Sequence, residues 1–247
     1  EITTEDFNDF KIVSSEIVQN INIPLTPDFA ICNECKVEIK DIENRRFNYP
    51  FTTCVNCGPR YAVTTQFPFE RAHTTLSNFE MCITCETEYK DPNNRRFHSQ
   101  TNSCADCGIQ LQVVDADGKD AVIDKQKSIN QIAKYISEGK IIAIKNTNGY
   151  LLCCDATNPE AIAQLRFKKK RPNKPFAVLY HSIKNVEKDF ELTTPEKNVL
   201  TSTVAPIIIL ENKNKTSIAT RAIAPNLNQT GVLLPSSSLL ELIMDAV

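Results

Sequence analysis

Apolar positions in the C-terminal half of the chain follow two periods in turn, and the switching between them outlines an α/β fold. Ile129, Ile132, Ala133 and Ile136 recur at helical spacing, with Ser128 as the predicted N-cap and Gly139 as the stop. A short apolar strand is expected over 141–145, then a turn at Asn146–Gly149, then an extended piece over 150–154. Asn158 and Pro159 form a cap-plus-first-position pair ahead of Ala161, Ile162 and Leu165, which marks another helix. Further strands are predicted over 176–180, 206–210 and 231–234, and an amphipathic helix over 239–247 with Leu239, Leu240, Leu242 and Ile243 on its apolar side. Alternating elements of this kind make a mixed-direction α/β sheet domain. Just ahead of it, Leu111 to Ile123 alternates around Asp117-Gly118 and reads as a hairpin.

The N-terminal half is organised by cysteine. Eight of the ten cysteines form four Cys-x-x-Cys pairs, Cys32/Cys35, Cys54/Cys57, Cys82/Cys85 and Cys104/Cys107. Eighteen residues separate the pairs within each module and the whole unit recurs after 50. The stretches 32–58 and 82–108 share 12 identities over 27 positions, among them Asn44-Arg45-Arg46-Phe47 and Asn94-Arg95-Arg96-Phe97, so one unit has been duplicated. Two knuckles of this spacing close a tetrahedral Cys₄ zinc site with no open position, which is a structural site. A unit of 27 residues is too small to fold on apolar burial alone. Zinc in comparable peptides contributes on the order of 10–16 kcal/mol.

Two other chemistries use the same residues. A disulfide framework suits an oxidising compartment, and a redox dithiol needs a single Cys-x-x-Cys rather than two matched sets. Zinc fits the pattern better than either. In-order pairing closes the shorter loops, while an interleaved arrangement, first pair with third, is compatible with the same spacing. His73 and His98 are surplus to two saturated sites. Arg45, Arg46, Arg95 and Arg96 fit a role in neutralising the charge of the thiolates, or in reaching nucleic acid. Cys153 and Cys154 sit on an apolar strand and read as packed, inert thiols.

Composition narrows the partners. With 41% apolar residues the chain can bury a core, and a net charge of −2 with a pI near 6.0 gives no overall pull toward nucleic acid or an anionic membrane. The apolar runs are far too short to span a bilayer, and no signal-like segment opens the chain, so a cytoplasmic protein is expected. Any anion site is therefore local. Six of the nine residues from Arg166 to Lys174 are basic and lead into a loop bounded by Pro172 and Pro175. That run is either a solvated helix end or a phosphate grip.

The doubled Cys₄ array, with Asn-Arg-Arg-Phe inside each unit and Cys57-Gly58-Pro59-Arg60 after the first, resembles the zinc-finger-like region of the HypF carbamoyltransferases. Ala143-Ile144-Lys145, Cys154-Asp155-Ala156-Thr157-Asn158 and the segment from Lys169 to Val178 resemble the start of that family's YrdC-like domain. The resemblance implies a segment of a longer enzyme, divided as follows: 1–25, a linker or tail of an acylphosphatase-like domain; 26–65 and 66–112, two zinc modules; 113–247, a YrdC-like domain continuing further. It implies two structural zinc ions, with ATP and Mg used by the parent enzyme. Carbamoyl phosphate and ATP would yield carbamoyl-adenylate, and the carbamoyl group would pass to the C-terminal cysteine of a HypE-like acceptor during synthesis of the cyanide ligand of [NiFe]-hydrogenase. Lys169 and Arg171 match the family's Lys-x-Arg-Pro motif and would bind ATP phosphates, with Lys145 and Tyr150 lining the same cleft. The chain departs from the family pattern at Asn146 to Leu152 and at Pro235-Ser236-Ser237-Ser238. Two other readings share parts of this pattern, a zinc-ribbon module binding RNA or DNA and a threonylcarbamoyl-adenylate synthase acting for tRNA.

Overall fold

A computed structural model describes residues 26–121 and 127–247. The tail expected over 1–25 and the far end of the Asp117-Gly118 hairpin lie outside the described residues. Within them the hairpin is reduced to one bridge, Val114 to Asp120, around a turn in which the Asp115 carboxylate accepts from the Asp117 and Lys119 amides.

Each zinc module starts on a short helix. In α1 (Asn33–Lys40) and α2 (Ile83–Lys90) the first cysteine of the module is the N-cap, and the second lies in the first turn and is fully buried. The helix start therefore turns both sulfurs of a pair toward one point. After each helix Asp41 and Asp91 accept from the amides of Glu43 and Asn93, and Asn44 and Asn94 accept from the amides of Arg46 and Arg96. These side-chain turns reverse the chain and aim the arginine pair. Residues 48 and 98, an asparagine and a histidine, both adopt positive φ at the same point of the repeat.

The α/β half contains α3 (Ser128–Ser137), an antiparallel hairpin of β1 (Ile142–Asn146) and β2 (Gly149–Cys153), and α4 (Pro159–Lys169). There follow β3 (Ala177–Leu179), α5 (Ile183–Asp189), α6 (Thr194–Leu200), β4 (Ile208–Glu211), α7 (Thr220–Ile223), β5 (Gln229–Leu233) and α8 (Ser238–Ala246). Strand β5 pairs with β3 in parallel and with β4 antiparallel, so the expected mixed direction is present. The strands divide between this three-stranded sheet and the separate β1–β2 hairpin. Asn158 caps α4 by accepting from the Glu160 and Ala161 amides, and Gly139 ends α3 at φ +75°.

Two expectations need correction. Ser128 is the first helical residue rather than the cap. Its hydroxyl is buried with no hydrogen-bond partner among the described residues, and Lys127 occupies the cap position. The last helix is not one-sided, because Ser238 to Ile243 are buried without interruption. The reason is its location, wedged between the α/β domain and the first zinc module.

One apolar core runs through both halves. Ile31, Ile39 and the sulfurs of Cys35, Cys54 and Cys57 pack with Ile129, Ile132, Ile136 and Ile144 and with Leu239, Leu242 and Ile243 of α8. Polar contacts fix the same interface. Lys36 and Lys40 of α1 pair with the buried carboxylate of Glu241 at 3.0 and 2.8 Å, and the Ser238 hydroxyl donates to the Thr52 carbonyl at 2.6 Å. Ser237 caps α8. The serines at which the chain departs from the family pattern thus start α8 and fasten it to the zinc region. A second core beneath the three-stranded sheet gathers Val186, Phe190, Leu200, Leu210 and Val232. At its edge the buried Asp189 carboxylate accepts from the Tyr180 and Ser217 hydroxyls.

Leu242→Ala is expected to cost about 2–5 kcal/mol, the usual loss for a buried leucine. Denaturant unfolding should show it, and the zinc region should lose protection from proteolysis along with the α/β half.

Candidate metal centres

The four sulfurs of Cys32, Cys35, Cys54 and Cys57 converge to within 4.8 Å of one another, and those of Cys82, Cys85, Cys104 and Cys107 do the same. The in-order pairing is therefore the one adopted. Neighbouring sulfurs lie 3.6–3.8 Å apart in both clusters. A tetrahedral ion with zinc–sulfur bonds of about 2.3 Å requires edges of about 3.8 Å, so the cages fit zinc. A disulfide bond needs sulfurs about 2.05 Å apart, so separations of 3.6–3.8 Å favour the metal cage over the disulfide reading.

The second knuckle of each module is a tight turn. In the first, the Asn56 amide donates to the Cys54 sulfur at 3.4 Å. In the second, the Gly108 amide donates to the Cys104 carbonyl at 2.9 Å. Gly108 admits no side chain, since a Cβ there would fall 2.0 Å from the Tyr49 hydroxyl.

Four sulfurs so close cannot all carry charge unaided. Hydrogen bonding from Cys35 brings Cys32 down to about 5, whereas the neighbouring sulfurs hold Cys35 far above the ordinary thiol range. In the second cluster burial opposes ionisation of Cys82. The Cys85 amide and the Arg45 guanidinium outweigh it and bring that thiol down to about 6. A divalent ion resolves the conflict by accepting all four as thiolates.

The arginines cross between modules. Arg45, from the first module, donates to Cys85, Cys82 and Cys104 of the second at 3.3, 3.2 and 3.0 Å. Arg95, from the second, donates to Cys35 of the first at 2.8 Å. Their neighbours cross as well. Arg46 forks onto Glu88 at 3.0 and 2.5 Å and donates to the Ser103 carbonyl, while Arg96 forks onto Glu38 and donates to the Thr53 carbonyl. Residue pairs 45/95, 46/96, 38/88 and 53/103 are each related by the 50-residue repeat. The duplicated units therefore face each other across a pseudo-two-fold, as in a symmetric dimer. Arg46 and Arg96 are only 2% and 3% exposed, and an arginine so placed needs the carboxylate it meets.

The expected neutralising role holds for Arg45 and Arg95, each acting on the opposite cluster. Arg46 and Arg96 serve mainly to join the modules, with Arg46 also 3.7 Å from Cys85. Glu38, Glu88 and Asn102 were missed by sequence reasoning, although the two glutamates are among the identities of the repeat. Neither expected-surplus histidine approaches a cluster. His98 packs against Tyr89 and Phe97, and His73 meets the Pro68 carbonyl through Nδ1 at 2.9 Å. Cys153 is pushed up to about 11 by burial, which keeps it an inert thiol.

The basic run sits apart from the metal cages. Arg166 donates to the carbonyls of Ala222, Ile223, Arg171, Pro172 and Lys174 and lies 4.5 Å from the Phe176 ring centre, so it braces the loop from within. Arg171 lies 5.1 Å from the same ring centre and donates to the carbonyls of Lys174 and Pro175. Lys168, Lys169, Lys170 and Lys174 are exposed. The ammonium of Lys169 lies within electrostatic reach of Cys153 at the end of β2, whose other end carries Tyr150. Lys145 faces Tyr150 across the hairpin, 5.6 Å from its ring centre.

Comparison with known proteins bears on both halves. Residues 31–64 and 81–114 match the HypF finger family, and residues 134–247 match the Sua5/YciO/YrdC family, described as telomere recombination. The chain is 42% identical over 245 residues to a carbamoyltransferase HypF of Synechocystis sp., covering 99% of this chain and 31% of the relative. It is 41% identical over 242 residues to a probable carbamoyltransferase HypF of Methanocaldococcus jannaschii, covering 98% and 31%. The chain joins two HypF-type zinc fingers to a Sua5/YrdC-like domain, and over nearly its whole length it is similar to proteins named carbamoyltransferase HypF. It spans about three tenths of the length of these relatives. The fold agrees with that of solved HypF structures. A full-length HypF in a phosphate- and nucleotide-bound form superposes with a TM-score of 0.84 at 38% identity, covering 91% of this chain and 29% of that one. T. kodakarensis HypF gives 0.85 at 37% identity with the same coverage.

Elemental analysis of this chain should give two zinc ions per molecule. Excess chelator should remove both and abolish cooperative unfolding of the zinc half, and retention should weaken as pH falls because protons compete for the sulfurs.

Proposed function

We propose that this chain is the zinc-finger region and the first part of the YrdC-like domain of a carbamoyltransferase. The observation carrying most weight is the similarity over 99% of the chain to a relative named as a carbamoyltransferase. In this reading carbamoyl phosphate is hydrolysed to carbamate, which attacks the α-phosphorus of Mg-bound ATP to give carbamoyl-adenylate and release pyrophosphate. The C-terminal thiol of a HypE-like acceptor then displaces AMP, and the resulting thiocarbamate is the precursor of the hydrogenase cyanide ligand. The setting is the cytoplasm, where thiolates stay reduced and available to zinc.

The nucleotide site in this reading uses the basic run. Exposed Lys169 supplies a mobile ammonium for the phosphates. Arg171 sits on a loop that Arg166 and two prolines hold rigid, and its present carbonyl contacts orient it until a phosphate competes for them. In this reading Lys145 and Tyr150, which face each other across the β1–β2 hairpin, line the same cleft. The similar full-length HypF solved in a phosphate- and nucleotide-bound form supports a nucleotide as ligand of the parent enzyme.

A nucleic-acid role, which would use the zinc modules together with the basic helix, finds less support, because the four arginines of the repeat face thiolates and carboxylates and leave only the lysines of that helix for phosphates. Among the described residues no helix is long and apolar enough to cross a membrane.

The test is carbamoyl-phosphate-dependent exchange between ATP and pyrophosphate in the full-length protein. Lys169→Ala and Arg171→Ala should each lower it on the order of 10²-fold, the usual effect of removing one donor to developing charge. Full activity in both variants would remove these residues from the site.

A further inference from the structure

Between the modules lies a cleft of about 450 Å³ lined by Arg45, Arg46, Arg95, Arg96, Glu38 and Glu88. It is unsuited to an anionic ligand, since its four guanidinium groups already face two carboxylates and the sulfur clusters. Its charges point elsewhere. Each Cys₄ cage holding a divalent ion carries two net negative charges. Among the described residues, the only cationic side chains that donate to ligand sulfur come from the opposite module. Local arginines do not substitute for them. Arg60 binds the carbonyls of Cys54, Val55, Cys57 and Pro59, and Arg71 binds those of Phe79, Gln100 and Asn102.

We infer that the two metal centres form one coupled unit, in which each module retains its metal through an arginine delivered by the other. The link is physical at every step. Metal in the first cage orders the helix and turn that aim Arg45 at the second cage. Metal in the second does the same for Arg95. Losing either ion frees the arginine that the remaining cage needs, so the survivor is held less tightly. Outer partners of metal ligands typically change affinity by about 10–100-fold, which sets the size of the effect.

The experiment uses the full chain loaded with ¹¹³Cd, which reports each cage by its own resonance, alongside zinc release to a chromogenic chelator. Cys104→Ser identifies which resonance belongs to the second cage. Arg45→Leu should perturb the second-cage resonance and speed release from that cage by about 10–100-fold, leaving the first cage closer to normal, and Arg95→Leu should do the reverse. Arg45→Lys, which keeps charge but not the fork, should give an intermediate rate and serves where the leucine variant folds poorly. In Cys104→Ser the metal of the first cage should leave at least about tenfold faster. Loss of metal from the arginine's own module, equal loosening of both cages, or an unchanged first cage in Cys104→Ser would each overturn the coupling.

Discussion

Gathering four thiolates around each of two ions concentrates negative charge where little apolar surface exists to hold the chain together, and the zinc half is arranged around that problem. The ions neutralise half of the charge. The remainder is met by guanidinium groups, which are planar, always ionised and able to address two sulfurs at once. Because the unit is duplicated, each copy can supply the cation that the other lacks. The same crossing buries Arg46 and Arg96 against Glu88 and Glu38, so one set of contacts neutralises the cages and joins the modules.

The zinc half is not a detached appendage. Sulfurs of the first cage belong to the same apolar core as α3 and α8, and the lysines of α1 reach the buried Glu241 of α8. Metal loading, through α1, therefore bears on the packing of the α/β domain that carries the basic run. The second module reaches that core at its C-terminal end, where Leu111 packs against it, while its cage lies across the pseudo-two-fold from the first.

The repeat, the cage ligands and the strand–helix alternation were legible because each leaves a strong local signature: fixed cysteine spacing, a 50-residue period, and apolar positions at steps of two or near 3.6. The family resemblance followed from the same residues. What stayed hidden was relational. Nothing in the spacing of Asn44-Arg45-Arg46 says which cage Arg45 will face, since that depends on how two copies dock. The last helix looked one-sided because its Glu241 reads as polar in sequence, and only the lysines of a segment two hundred residues earlier explain its burial. Ser237 and Ser238 looked like a lapse from a family motif, and their cap and cross-module hydrogen bond emerge only in three dimensions. The loop contacts of Arg171, to Phe176 and the turn carbonyls, likewise depend on a fold that its motif does not describe.

The central claim is that eight cysteine sulfurs, and no other atoms, enclose two zinc ions in this half of the chain. X-ray absorption at the zinc edge of the native, chelator-free protein tests it most directly. A single shell of four sulfurs at about 2.3 Å around every zinc is the expected result. A nitrogen or oxygen contribution to the first shell, or protein free of zinc, would contradict it.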